Sequence, residues 1–151
     1  MKRLTYSTIF VFFTIFSFSQ ELTCVEGIYY QNDKPYTGVH KEYYENGNIK
    51  SESNFINGRI DGISMIYYEN SIPKEQRSYK NGVKHGVWIM WDEKENKLAE
   101  ALYKKGKKHG TWLLWDEKGN LRYEMHYSNG EKEGHWYMWD AEGNLTMEKE
   151  F

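Results

Sequence analysis

The stretch that decides the fold runs Gly110-Thr-Trp-Leu-Leu-Trp-Asp116, then Glu117-Lys-Gly119, then Asn120-Leu-Arg-Tyr-Glu-Met-His-Tyr127. Both flanks are rich in aromatic and branched residues, and neither is long enough for a helix. The connection between them has the chemistry of a three-residue hairpin loop, a type I turn closed by a left-handed residue. Gly119 fills that last position without a Cβ clash. The stretch therefore predicts two antiparallel strands. A second reversal at Ser128-Asn-Gly-Glu-Lys-Glu133 sends the chain into the next pair.

The same pattern repeats along the chain. Gly38, Gly62, Gly86, Gly110 and Gly134 fall 24 residues apart, as do Gly58, Gly82, Gly106 and Gly130. Gly47 and Gly143 stand where Gly119 does. These glycines are read as structural turn residues. Aromatic columns share the period: Tyr43, Tyr67, Trp91, Trp115, Trp139, and Phe55, Tyr79, Tyr103, Tyr127, Phe151. A polar column holds Glu52, Gln76, Glu100, Glu124 and Glu148. Five columns in register predict tandem units at 38–61, 62–85, 86–109, 110–133 and a shortened 134–151, with residues 20–37 as a capping half-unit. The expected fold is all-β: an elongated antiparallel meander of β-hairpins in a single twisted sheet. Ser71 and Glu95 replace the loop glycine and Pro73 starts a strand poorly, so the second unit is expected to be the least regular.

The first residues read differently. Lys2 and Arg3 precede an uncharged apolar run from Leu4 to Phe18, and small residues flank Phe18. This predicts a signal peptide over residues 1–19, cut after Ser19, and export to the periplasm, the cell surface or the medium. The 15-residue run is shorter than the roughly 20 residues a membrane-spanning helix needs, which disfavours an uncleaved anchor. Lipidation at Cys24 is disfavoured too, because Glu21-Leu22-Thr23 fits a lipoprotein cleavage site badly. Removing Lys2 and Arg3 leaves 18 basic against 22 acidic residues, a poor balance for nucleic acid, which rewards clustered positive charge. Cys24 is the only cysteine, so no intramolecular disulfide is expected.

The repeat residues also carry a resemblance. Tyr79-Lys-Asn-Gly-Val-Lys-His-Gly86 and Tyr103-Lys-Lys-Gly-Lys-Lys-His-Gly110 resemble the Tyr-x-x-Gly-x-x-x-Gly core of MORN repeats. Stretches such as Gly143-Asn144-Leu145 resemble the bacterial MORN variant found in the YwqK-type, antitoxin-like family. The resemblance implies stacked β-hairpins. It implies function only weakly, because MORN arrays serve many proteins as accessory modules.

A three-residue loop at 117–119 pairs Asp116 with Asn120, and then Trp115 with Leu121, Leu113 with Tyr123 and Thr111 with Met125 on one apolar face. It pairs Leu114 with Arg122 and Trp112 with Glu124 on the other. That register puts Ile89, Trp91, Tyr103, Leu113, Trp115, Tyr137 and Trp139 together. It puts Trp88, Trp112 and Trp136 in a column on the second face, flanked by Glu100, Glu124 and Glu148 and joined by Arg122 and His126. Two readings follow. The tryptophans stiffen the sheet as cross-strand packing, or Trp88, Trp112, Trp136, Glu100, Glu124 and Arg122 form a binding surface.

No catalytic residue, metal site or cofactor is expected. His85 and His109 sit one repeat apart, roughly 9–10 Å along a sheet, too far to share one zinc ion. They are read as turn residues. The repeated glutamates read as a solvated column, and the repeats leave no length for a catalytic domain. Lys104, Lys105, Lys107 and Lys108 cluster at one turn; contact with anionic headgroups is possible but not favoured over a solvated turn. The expected partner is another protein, and the expected role is a non-enzymatic interaction scaffold. The alternatives are neutralisation of a partner toxin, and a structural, self-associating or lipid-headgroup-binding role in the envelope.

Overall fold

The computed structural model describes residues 21–151, so the leader expected over residues 1–19 lies outside the described residues. The fold is all-β. A small three-stranded sheet is built from β1 (Thr23–Val25), β2 (Ile28–Gln31) and β3 (Lys34–Pro35). A twelve-stranded antiparallel sheet follows. Its strands are β4 (Gly38–Tyr43), β5 (Ile49–Ile56), β6 (Arg59–Tyr67), β7 (Pro73–Lys80), β8 (Val83–Lys84), β9 (Gly86–Trp91), β10 (Lys97–Lys104), β11 (Lys107–Trp115), β12 (Leu121–Ser128), β13 (Glu131–Lys132), β14 (His135–Trp139) and β15 (Leu145–Glu150). The sheet runs in chain order from β4 to β15, with the short β8 and β13 pairing β7 and β12 beside the main path. The expected single sheet is thus one long meander plus a separate three-stranded cap.

Two kinds of reversal alternate. At one end of the sheet stand the three-residue loops, where Asp116 N–H donates to Asn120 O at 3.0 Å and Gly119 N–H to Asp116 O at 3.0 Å. At the other stand tight turns with two left-handed residues, such as Asn81 (φ 50°) and Gly82 (φ 77°). Each tight turn is stapled to the unit before it. Gly58 N–H donates to Tyr36 O, Gly82 to Ile60, Gly106 to Lys84 and Gly130 to Lys108, all at 2.7–2.8 Å. Of the glycines that start the units, Gly38, Gly86 and Gly110 are also short of room for a Cβ, while Gly62 and Gly134 have open space there. At Gly110 (φ 61°) a Cβ would stand 2.8 Å from Leu102 Cδ2.

The second unit is as regular as the others, against expectation. Ser71 (φ 69°) and Glu95 (φ 65°) take the left-handed position that glycine fills elsewhere. Pro73 opens β7 opposite Tyr67, as Leu121 opens β12 opposite Trp115. The loops' own hydrogen bonds, Ser71 N–H to Tyr68 O (2.9 Å) and Glu95 N–H to Asp92 O (3.1 Å), hold the shape, and the left-handed backbone of the two residues carries the strain.

The register differs from the expected pairing. Trp115 pairs with Leu121 as expected, but Leu114 pairs with Tyr123, Leu113 with Glu124, Trp112 with Met125 and Thr111 with His126. A β-bulge beside Arg122 causes the slip. Equivalent shifts occur in all five hairpins, between Glu42/Tyr43, Ile66/Tyr67, Lys97/Ala99, Leu114/Trp115 and Met138/Trp139. One extra residue on one strand moves every later side chain to a new partner. The expected pairs Leu113–Tyr123, Thr111–Met125, Leu114–Arg122 and Trp112–Glu124 are therefore corrected.

Little of the sheet is buried. Among the described residues Phe55 (3% exposed) and Tyr127 (7%) are the buried apolar side chains, joined by Ser64 (6%). Among the described residues no second layer covers the long sheet.

Candidate binding face

The bulge decides which residues meet. Trp88, Trp112 and Trp136 lie on the same face as Tyr79, Tyr103, Tyr127 and Phe151, and the rings interleave. Successive centroids from Tyr79 through Trp88, Tyr103, Trp112, Tyr127 and Trp136 to Phe151 are 5.5, 5.1, 5.1, 5.4, 5.1 and 4.8 Å apart, at tilts of 52–64°. Such tilted pairs suit the ring quadrupoles. Each indole N–H donates at 3.0 Å to a strand carbonyl: Trp88 to Ser78, Trp112 to Leu102, Trp136 to His126. Lys84, Lys108 and Lys132 lay their ammonium groups 4.3–4.4 Å from the tryptophan ring centres and 4.4–4.9 Å from the next ring along. The column is thus a packed aromatic ladder with a lysine border, and Tyr103 belongs to it rather than to the opposite face. Burial raises the pKa of the Tyr103 phenol.

The expected companions of the tryptophans are elsewhere. Glu100 pairs with Ile89 and Leu113, and Glu124 with Leu113 and Tyr137, on the opposite face. That face carries one row across ten strands: Lys41, Glu52, Met65, Gln76, Ile89, Glu100, Leu113, Glu124, Tyr137 and Glu148. Three of its four carboxylates are partnered, by Lys41 on Glu52 (3.0 Å), Lys97 on Glu100 (2.7 Å) and His126 on Glu124 (3.1 Å). Trp139 stacks on Tyr137 there at 5.8 Å. Arg122, the bulge residue, points its Nε at Trp139 O (2.8 Å) and ties its loop to the next hairpin. Tyr44 and Tyr68 do the same work earlier in the chain, donating to Tyr67 O (2.7 Å) and Trp91 O (2.9 Å).

His85 acts as a turn residue, but on a neighbouring turn. His85 Nδ1 accepts from Lys105 N–H at 3.4 Å, one unit ahead. Thr37 Oγ1 and Asp61 Oδ2 hold the equivalent Asn57 and Asn81 N–H groups at 2.9 and 2.7 Å. His109 Nδ1 is buried without a partner. At the loop end, Asp92, Asp116 and Asp140 each accept hydrogen bonds from N–H groups two and four residues on, at 2.8–3.0 Å. These bonds hold the three carboxyls below the usual carboxylate range. The Asn96 side chain contributes most at Asp92, the Asn120 backbone at Asp116 and the Asn144 side chain at Asp140. Among the described residues no group of three or more His, Cys, Asp or Glu is placed to hold a metal ion, and no helix is long and apolar enough to cross a membrane.

Three segments match a known repeat model. The match is to the MORN repeat variant, at residues 36–57, 60–81 and 108–129. The segments start and stop near the tight turns, so each matched segment is one loop hairpin between two tight turns. The hairpin β9–β10 between them keeps the same bulge and the tight-turn glycines Gly82 and Gly106, with Glu95 at the loop position. No curated protein matches the chain.

The register also brings together residues that sequence reasoning did not group. On the ladder face, beside the tryptophans, Met90 pairs with Ala99, Leu114 with Ala99 and Tyr123, and Met138 with Tyr123 and Met147. These pairs make an unbroken apolar row across six strands. Met90 is 44% exposed and Tyr123 38%. In the first half the same row reads Glu42, Ser51, Ile66 and Glu75. The signal was in the sequence as the column Ile66, Met90, Leu114, Met138. Assigning that column to the ladder face required knowing the bulge.

Proposed function

We propose that the chain is an exported, non-enzymatic MORN-variant scaffold that binds another protein on the C-terminal half of its ladder face. The observation that carries this reading is the apolar row Met90, Ala99, Leu114, Tyr123, Met138, Met147 lying open beside the tryptophan ladder. An exposed contiguous apolar patch with a polar rim marks an interaction site, and methionines with aromatic rings adapt to apolar partners. Trp88, Trp112 and Trp136 form the floor of this surface, with Lys84, Lys108 and Lys132 along one side. Glu100, Glu124 and Arg122 take no part in it.

The test places a photo-crosslinking residue at Tyr123 or Met90 and, as the control, at Ile63, which faces the other way and is 54% exposed. Covalent protein adducts from Tyr123 and Met90 but not from Ile63 are the expected result. Adducts from Ile63 alone would move the site to the glutamate-bearing face. A toxin identified in the Tyr123 adduct would make the antitoxin-like role the specific form of the same function.

A further inference from the structure

We infer that the partner of the ladder face is a second copy of this chain, docked face to face as the missing second layer of a β-sandwich; this rests on the binding-face reading above. A sheet with an apolar face is stable when that face meets another layer, and the described residues supply none. The C-terminal half of the sheet holds the apolar row and the ladder over six strands. At about 4.8 Å per strand and roughly 20 Å of strand length, that is about 600 Å² per copy. The total of roughly 1,200 Å² sits at the lower end of stable protein interfaces.

Charge selects the geometry. The tight-turn end of the C-terminal half carries Lys84, Lys104, Lys105, Lys107, Lys108 and Lys132 against Glu131 and Glu133. The loop end carries Asp92, Glu93, Glu95, Asp116, Glu117, Asp140 and Glu142 against Lys94, Lys97, Lys118 and Arg122. One end is basic and the other acidic. A twofold axis lying between the layers and along the direction from β4 to β15 reverses the strands of the second copy while keeping the chain order. It sets each copy's basic turns over the other's acidic loops and each copy's C-terminal half over its equivalent. The tryptophan row, midway along the strands, lies nearest the axis. The Leu114 row of one copy falls over the tyrosine rings of the other. A twofold along the strands would instead oppose like charges at both ends. The isologous arrangement is self-limiting, as closed symmetry requires.

Sedimentation equilibrium of the purified chain, with reductant so that Cys24 forms no bridge, reads the association. The expected result is a reversible dimer whose dissociation constant rises at least tenfold in Met138→Glu and Tyr123→Glu, and rises with salt. Ile63→Glu, on the opposite face, leaves it unchanged. Circular dichroism and thermal melts check that each variant is folded. Where Met138→Glu does not fold, the charge swap Lys108→Glu weakens the wild-type dimer, and pairing it with Glu117→Lys restores it. A carbodiimide bond between Lys108 and Glu117 of different copies, seen in the dimer band alone, fixes the direction of packing. A chain monomeric at hundreds of micromolar, or a dimer indifferent to Met138→Glu and to the charge swap, overturns the inference. If that monomer still gives protein adducts from Tyr123, the binding face stands and only its self-pairing falls. If the dimer forms and Tyr123 crosslinks only to its own chain, the sandwich stands and the separate partner falls.

Discussion

The first two units and the last three solve one packing problem in two ways. In the C-terminal half the ladder column is Trp88, Trp112 and Trp136, and each indole bridges two phenyl or phenol rings. In the N-terminal half the same column is His40 and Ser64. Ser64 is 6% exposed and shares a 2.6 Å hydrogen bond with Ser53. Phe55 is covered from outside the long sheet, by Tyr29 at 4.8 Å and Tyr36 at 5.8 Å, both from the N-terminal cap. The loops differ in parallel: Tyr44 and Tyr68 tie the first two to the next hairpin, while Asp92, Asp116 and Asp140 organise the last three from within. One half is completed by a cap, and the other leaves an apolar row open. Similar backbones thus give one half whose Phe55 is capped and one half whose apolar row is open.

The largest expected break of this contrast is Trp112→Ala. It removes contacts to Tyr103 and Tyr127 and orphans the Leu102 carbonyl, and should cost about 3 kcal/mol in chemical denaturation. Ser64→Ala at the same column position should cost only about 1 kcal/mol, the worth of one hydrogen bond. Equal losses would show that the two halves do not differ in how they are held. Next comes Gly110→Ala, expected to cost about 2 kcal/mol, because the new Cβ meets Leu102 in a left-handed backbone. The control Gly134→Ala, with open space at its Cβ, should lose only the backbone part, and thermal melts compare the two.

Glu95→Gly should stabilise by about 1 kcal/mol by relieving a left-handed residue with a Cβ. Ser71→Gly should do the same in the other half, so a gain at one site alone would show that the loops are not equivalent. The smallest effect separates the loops by pH. The Asp92, Asp116 and Asp140 carboxyls have folded pKa values below their ordinary value of 3.8. Their contribution is therefore fully present above the unfolded value and is lost as pH falls through the folded one. Hydrogen exchange below about pH 4 should accelerate first at the last three loops. In Asp116→Asn the loop at 116–120 should lose that acid dependence, and uniform exchange across all five loops would contradict the assignment.

Much of this was legible before any coordinates. The 24-residue columns of Gly62, Gly86 and Gly110 marked turns, and Gly119 marked the loop type, because only a few residues tolerate those backbone angles. The Trp88, Trp112, Trp136 column was visible as a column. Its surroundings were not. Alternation fixes relative faces only within one unbroken strand, and nothing at Arg122 announces a bulge. One slipped residue exchanged Glu124 for Met125 beside Trp112, and so separated Glu100 and Glu124 from the tryptophans they were expected to flank. It also hid the open row, since Leu114 had been placed on the face away from Tyr123.

The sequence by itself determined the repeat, the all-β meander and the places where the chain turns, because these depend on local backbone preference and spacing. Only the tertiary structure decided the faces. Cross-strand register depends on hydrogen bonds between residues far apart in the chain, and the register chose which side chains share a surface. Ring packing, lysine borders and the reach of His85 to a neighbouring unit's turn then followed from that choice.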